Sequence, residues 1–262
     1  MGSIMSDVVP FLVIMAILTS ASISDVRKRE VSDLHWIALC IMGAVASAFR
    51  ADDAISALAV LSGCILLSMY MFSSVLVGWR AVPAIAPGLL LIAVFGDPVT
   101  SIMFAMSLLM YRSGMFGGAD AKALMSLSMM YPWYPGTNPE NILIGIVCNP
   151  VMTALTVAFV LTVIAFLPVL FRNIRDGCIG KGMFSSFGMS IEKAERSFVW
   201  PVEDVIDGKV VRCGPVRDDD VFGRLRDAGR TDVVVAPMIP FMVPLTLGFF
   251  VAMTLGNPIL GS

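Results

Sequence analysis

Eight stretches of this chain are apolar enough to sit in hydrocarbon: residues 8–24, 34–50, 55–78, 82–95, 98–112, 121–134, 142–171 and 236–257. A membrane helix needs about 20 consecutive apolar residues, and helices are the spanning structure that such unbroken runs can form. The expected fold class is therefore an all-α polytopic membrane protein. Composition agrees: 57% of the residues are hydrophobic and 15% are charged, against about 25% charged in soluble domains. The two shortest runs, 82–95 and 98–112, flank Gly96-Asp97-Pro98. Two crossings or one re-entrant hairpin there leave six to eight membrane segments, with eight as the working count.

The positive-inside rule orients the runs. With Arg27, Lys28 and Arg29 cytoplasmic, 17 of the 18 Lys and Arg residues fall inside, including Arg80, Arg112, Lys122 and the eleven of segment 172–235. Only Arg50 falls outside, closely followed by Asp52 and Asp53. Both termini are then outside. A single crossing over 82–112 would put Arg112 and Lys122 outside, so the turn at Gly96-Asp97-Pro98 is retained. The first run is not preceded by basic residues, so it is expected to be a retained span and not a cleavable signal.

Three parts follow: a membrane helical domain over 1–171, a cytoplasmic insertion over 172–235, and a C-terminal membrane helix over 236–262. The insertion reads as small and α+β. Asp207-Gly208 between Val205-Ile206 and Val210-Val211 is a hairpin turn, Val221–Asp227 a short helix, and 232–236 a short strand. The five cysteines are scattered without a Cys-x-x-Cys pair, and His35 is the single histidine. No zinc site of usual spacing is available, and the sequence calls for no metal or cofactor. A net charge of −2 points to no nucleic-acid partner.

Two acids stand at the edges of apolar runs: Asp25, closing the first, and Asp120, within Met115-Phe-Gly-Gly-Ala-Asp-Ala-Lys122. An ionisable side chain at that depth costs free energy and is a functional candidate. The charge distribution puts both near the same membrane face, where two carboxylates can divide acid and base roles. Structural readings stand beside the functional one. Asp120 can be an N-cap for a helix starting at Ala121, and Gly117, Gly118 and Ala119 can allow close approach or a positive φ at its entry. Asp25 can be an interfacial acid paired with Arg27 or Arg29. Asp33 and His35 read as the start of the second span, and Lys122 as a side chain facing water or headgroups, with a modest tuning of Asp120 as the alternative.

Phe116-Gly-Gly-Ala-Asp-Ala-Lys122 opens a membrane helix after an upstream Asp-x-Arg-x-Arg-Glu. It resembles the archaeal prepilin and preflagellin (archaellin) peptidases, intramembrane aspartyl proteases of the Gly-x-Gly-Asp type. The likeness extends over 25–36, Phe171-Arg-Asn-Ile, and Val234-Val-Ala-Pro-Met-Ile-Pro-Phe-Met-Val-Pro-Leu-Thr246. Ala119 stands where the family motif has its second glycine. The chain also carries one more helix pair before the motif than the smaller preflagellin peptidases. The paired cysteines of the bacterial relatives are missing, so their N-methyltransferase activity does not carry over.

The resemblance implies that Asp25 and Asp120 are the catalytic pair, with Gly117, Gly118, Ala119 and Lys122 shaping the site. It implies removal of a short basic leader from prepilin- or archaellin-like precursors at the cytoplasmic edge of the cell membrane. The acidic run Asp218-Asp219-Asp220, with Glu192, Glu195, Glu203 and Asp204, is read as a solvated loop, or more sharply as an attractor for that leader. The rival class is a proton-coupled transporter using the same carboxylates. Membrane lipid is an expected partner in either case.

Overall fold

The computed structural model describes residues 2–73, 82–134, 137, 141–180, 182–216, 218 and 220–256. They form two compact units, Met1–Phe159 with Pro240–Ser262, and Val160–Ile239. The chain is mostly helical. In order it runs α1 (Gly2–Lys28), α2 (Asp33–Phe49), α3 (Ala54–Phe72), α4 (Val82–Phe95), α5 (Pro98–Arg112), α6 (Gly118–Met130), α7 (Ile142–Val147) and α8 (Pro150–Arg175). The polar region follows as β1 (Phe187–Ser190), α9 (Ile191–Glu195), β2 (Val199–Pro201), β3 (Glu203–Ile206), β4 (Lys209–Arg212), α10 (Val221–Asp227) and β5 (Asp232–Pro237). The last helix is α11 (Met242–Leu255).

Three helices are long and apolar enough to cross a membrane: Val8–Lys28, Ala54–Phe72 and Pro150–Arg175. Three further apolar helices are shorter, Asp33–Phe49, Ile85–Phe95 and Met242–Leu255. Eight full spans are thus not what these lengths support. Large side chains such as Phe49, Leu58, Leu90, Val94 and Phe159 are exposed on the helices. Apolar surface on this scale belongs in lipid and not in water.

Several helix boundaries depart from the hydropathy runs, each for a local reason. The run 142–171 is broken after α7, and α8 restarts at Pro150. Asn149 makes the break by accepting from the Val151 N–H (2.7 Å) while its amide donates to the Tyr131 and Pro132 carbonyls. A proline at the first helical position lacks only an N–H that would be unbonded anyway. The run 121–134 becomes α6, which ends before Pro132 because the residue ahead of a proline disfavours helix. The run 236–257 begins in strand β5, and its helix starts only at Met242, past Pro237 and Pro240. α8 carries on to Arg175, past residue 171. The turn at Gly96-Asp97-Pro98 does separate two helices: Asp97 caps α5 by accepting from the Val99 and Thr100 N–H groups. Residues 74–78 of the third run, and Arg80, lie outside the described residues.

At the centre of the first unit lies α6. Ala121 and every residue from Ala123 to Met130 are buried, which is the signature of a helix enclosed by other helices. Its length of about 20 Å is too short to span hydrocarbon of about 30 Å. Its neighbour α2 comes so close that a Cβ on Gly43 would sit 2.8 Å from Met129 Cβ. Ser47 Oγ donates to the Met129 carbonyl (2.8 Å), and Cys40 Sγ lies 3.4 Å from Ser126 Oγ. Arg50 follows α2 and donates to the Met129 and Met130 carbonyls at 2.9 and 3.0 Å. It thereby caps the C-terminal end of α6, where a cation also suits the helix dipole. The basic residue expected alone outside thus has a structural duty, and the adjacent Asp53 caps α3 through the Ile55 and Ser56 N–H groups.

In the second unit β5 is central to an antiparallel sheet of order β1-β5-β2. β3 and β4 form the expected hairpin, with Ile206 opposite Lys209. Its turn residues Asp207 and Gly208 have φ of 52° and 73°, as a tight type I′ turn requires. The small core gathers Ile191, Ala194, Val199, Val221, Leu225, Val233 and Val235. Helix α10 and strand β5 match expectation, whereas β1, α9 and β2 were not anticipated. Several acids of this unit are matched internally. Arg224 holds Asp204 bidentately (3.0 and 2.9 Å) and Asp218 at 2.6 Å. Glu195 pairs with Arg226, and Glu203 accepts from the Val234 N–H. Asp219 lies outside the described residues. This internal pairing favours the solvated-loop reading of the acidic run.

Two measurements check this packing. Gly43→Leu is expected to destabilise the chain by about 1–3 kcal/mol through overpacking. Gly188→Ala, with nothing within 4 Å of the added Cβ, leaves the melting temperature unchanged. The Arg224 guanidinium holds the Asp218 carboxyl below its usual range. That contribution is complete above the unfolded value of about 3.9 and is lost as pH falls through the lower folded value. Asp218→Asn therefore lowers the melting temperature at pH 6, and the gap from the parent closes under strongly acidic conditions.

Candidate active site

The α2–α6 contacts set the geometry of the two acids. Asp33 meets Lys122, Cys40 meets Ser126, and Ser47 meets Met129. Ascending numbers pair with ascending numbers, so the helices run parallel and start at the same end of the bundle. Asp25 is in the last turn of α1, a few residues before α2 begins, and is therefore at that end too. Asp120 is in the first turn of α6. Both acids therefore lie at one end of the first unit.

Gly117 is the N-cap of α6. Asp120 is three residues further on, in the first turn, with its carboxylate lying back toward Gly117. The expectation of Asp120 as N-cap is corrected by one helical turn, because Gly118 and Ala119 have small side chains and enter the helix readily. Gly117 has φ of −68°, so no left-handed residue is needed at this entry. What the glycine supplies is room: a Cβ at 117 would lie 3.2 Å from Asp120 Oδ2.

Asp25 is held from across the bundle. Its Oδ2 accepts from the Met242 N–H at 3.3 Å, the first helical residue of α11, whose own N-cap, Phe241, supplies no side-chain cap. A carboxylate there meets both an unsatisfied donor and the positive end of a helix dipole. Ser22 Oγ donates to the Met242 carbonyl (3.0 Å) and lies 2.8 Å from Thr246 Oγ1. Arg29 ends α1 in the left-handed region, at φ 56°, with its N–H donating to the Asp25 carbonyl at 3.0 Å. Of the two arginines weighed as partners for Asp25, Arg29 is the one whose charge acts on it.

The two acids are linked through α11. The Phe116 ring, just ahead of the Gly-Gly-Ala-Asp motif, lies 5.2 Å from the Phe241 ring. Phe241 directly precedes the Met242 whose N–H binds Asp25. The carboxyl groups stand within electrostatic reach of each other, and both are part-buried.

Lys122, expected to face water or headgroups, is part-exposed and is also ion-paired. Its Nζ lies 2.6 Å from Asp33 Oδ1, tying the starts of α6 and α2 together. Asp33 does begin α2, and His35 bridges the Ser32 carbonyl and Ser20 Oγ at 3.0 Å each. Among the described residues no three His, Cys, Asp or Glu side chains converge as a metal site. The residues that sequence reasoning missed are Phe241 and Met242. A signal was present, since Pro237, Pro240 and Pro244 surround a helix start with unbonded backbone groups to satisfy.

The type IV leader peptidase family model matches residues 12–171, a stretch that contains both acids. A preflagellin peptidase of Methanococcus maripaludis is 24% identical over 258 residues, covering 93% of this chain and 93% of the relative. A preflagellin peptidase of Methanocaldococcus jannaschii is 24% identical over 256 residues, covering 93% and 92%.

The Phe116–Phe241 contact has a direct check. With the five native cysteines replaced, Phe116→Cys/Phe241→Cys is expected to cross-link with a short bismaleimide, whereas Phe116→Cys/Phe49→Cys gives none.

Proposed function

The chain belongs to the type IV leader peptidase family, and from that premise we propose that it is an aspartic endopeptidase of the membrane. Its substrates are prepilin- or archaellin-like precursors, from which it removes a short basic leader. The observation that carries this reading is the placement of Asp25 and Asp120 at one end of the bundle, within electrostatic reach. The names of the relatives, preflagellin peptidases over nearly the whole chain, support the substrate class.

Asp25 and Asp120 form the catalytic dyad. One carboxylate takes a proton from water while the other, still protonated, donates to the scissile carbonyl. Water adds to the carbonyl carbon, the peptide bond breaks, and the amine leaves with a proton from the dyad. Gly117 gives the Asp120 carboxylate its space, and Gly118, Ala119 and Lys122 fix the turn that presents it. The Met242 N–H and Arg29 orient and stabilise Asp25.

The end of the bundle bearing the dyad faces the cytoplasm, with the N- and C-termini on the other side. The arginines and lysines at 27–29, 112 and 122 support this orientation. A basic leader stays in the cytoplasm by the same rule, so its junction with the following apolar helix meets the dyad at the membrane edge. The transporter alternative gains no support, since both acids sit at the ends of their helices and not at mid-membrane.

Purified protein incubated with a leader-bearing archaellin or pilin precursor in detergent tests the reading. Asp25→Asn and Asp120→Asn are expected to lose at least about 100-fold in cleavage rate, with unchanged melting temperatures. Asp25→Asn can still accept from the Met242 N–H, so its loss of activity is not a loss of fold. Full cleavage by either variant removes the dyad.

A further inference from the structure

A second polar site lies at the same end of the bundle, beyond the two acids. It is a cavity of about 210 Å³ lined from α3 by Tyr70 and Met71, from α5 by Leu108, Tyr111 and Arg112, and from α6 by Gly118, Ala121, Lys122 and Met125, with Ser73 at its edge. Arg112 donates to Tyr70 Oη at 2.7 Å, and its guanidinium carbon lies 6.0 Å from that ring centroid. Among the described residues no carboxylate stands within ion-pair distance of Arg112. Lys122 is balanced by Asp33, which does not line the cavity, and its ammonium lies 5.2 Å from the centre of the Phe72 ring.

The lining therefore carries two cations and no acid, with one positive charge left uncompensated. A basic leader is repelled from such a site. Anions are attracted, and the tyrosine hydroxyls add donors for anionic oxygens. Met71, Leu108 and Met125 give the remaining wall an apolar character. A cationic mouth on an apolar wall, at the end of lipid-facing helices, matches a phosphate ester that continues into glycerol and acyl chain. Basic pockets between membrane helices on the cytoplasmic side are suited to such headgroups.

We propose that this pocket binds the phosphate-bearing headgroup of an anionic phospholipid. The occupant bridges Arg112 on α5 and Lys122 on α6. It thereby fastens the first turn of α6, which carries Asp120 on its other face. Binding does not depend on the peptidase reading, and its readout needs no substrate.

The test measures binding and thermal stabilisation of the full chain in neutral detergent, titrated with phosphatidylglycerol, phosphatidylcholine or inorganic phosphate. Phosphatidylglycerol is expected to bind and raise the melting temperature, with little response to the other two. Arg112→Gln weakens phosphatidylglycerol binding at least about tenfold, or about 1.4 kcal/mol. Tyr70→Phe, which removes only the hydroxyl holding Arg112, weakens it by a smaller factor and keeps the proposal testable should Arg112→Gln fold poorly. Equal binding by parent and both variants overturns the site. Equal stabilisation by phosphatidylcholine overturns its selectivity for net negative charge. An equal response to inorganic phosphate overturns the lipid as the source and assigns the pocket to free phosphate.

Discussion

The parallel seam between α2 and α6 is the constraint on which the site depends. Gly43 lets the helices meet almost backbone to backbone, and Ser47, Cys40 and Asp33 fix their register against Met129, Ser126 and Lys122. A helix enclosed as fully as α6 cannot slide without opening a cavity or burying an unpaired polar group. Because α1 ends where α2 begins, this register also decides where Asp25 stands relative to Asp120. Two acids separated by 95 positions in sequence thus stand at one end of the first unit because of a glycine that touches neither.

Much of the helical plan was legible in the sequence, because apolar runs and their breakers are local signals. Asp97 ahead of Pro98 caps and starts a helix whatever surrounds it, and Asp207-Gly208 makes its hairpin for equally local reasons. The count of full membrane spans was not legible. Hydropathy cannot separate a helix bathed in lipid from one enclosed by protein, and α6 is of the second kind. Nor can it separate one long helix from two: Asn149 breaks a run of uniform apolarity by a capping bond that composition does not reveal.

The site divides in the same way. Asp25 and Asp120 stand out because a charge beside hydrocarbon is conspicuous. What holds them is far less visible. Asp25 is met by a main-chain N–H from residue 242, and main-chain donors have no sequence identity. Lys122 read as a side chain facing water or headgroups, and its pairing with Asp33 across the seam could not be seen in the sequence. The acids of the polar region read as a solvated loop or as an attractor for a basic leader, and Arg224 and Arg226 hold most of those described. Pairing between distant residues is a tertiary property, so charge runs alone overstate how much field reaches a ligand.

Arg50 gives α6 an asymmetry with mechanical meaning. Its guanidinium clasps the last carbonyls of that helix, whereas the opposite end begins on consecutive glycines. The two ends of α6 are therefore held by different means: a guanidinium grips main-chain carbonyls at one, and a lysine–aspartate pair joins neighbouring helix starts at the other.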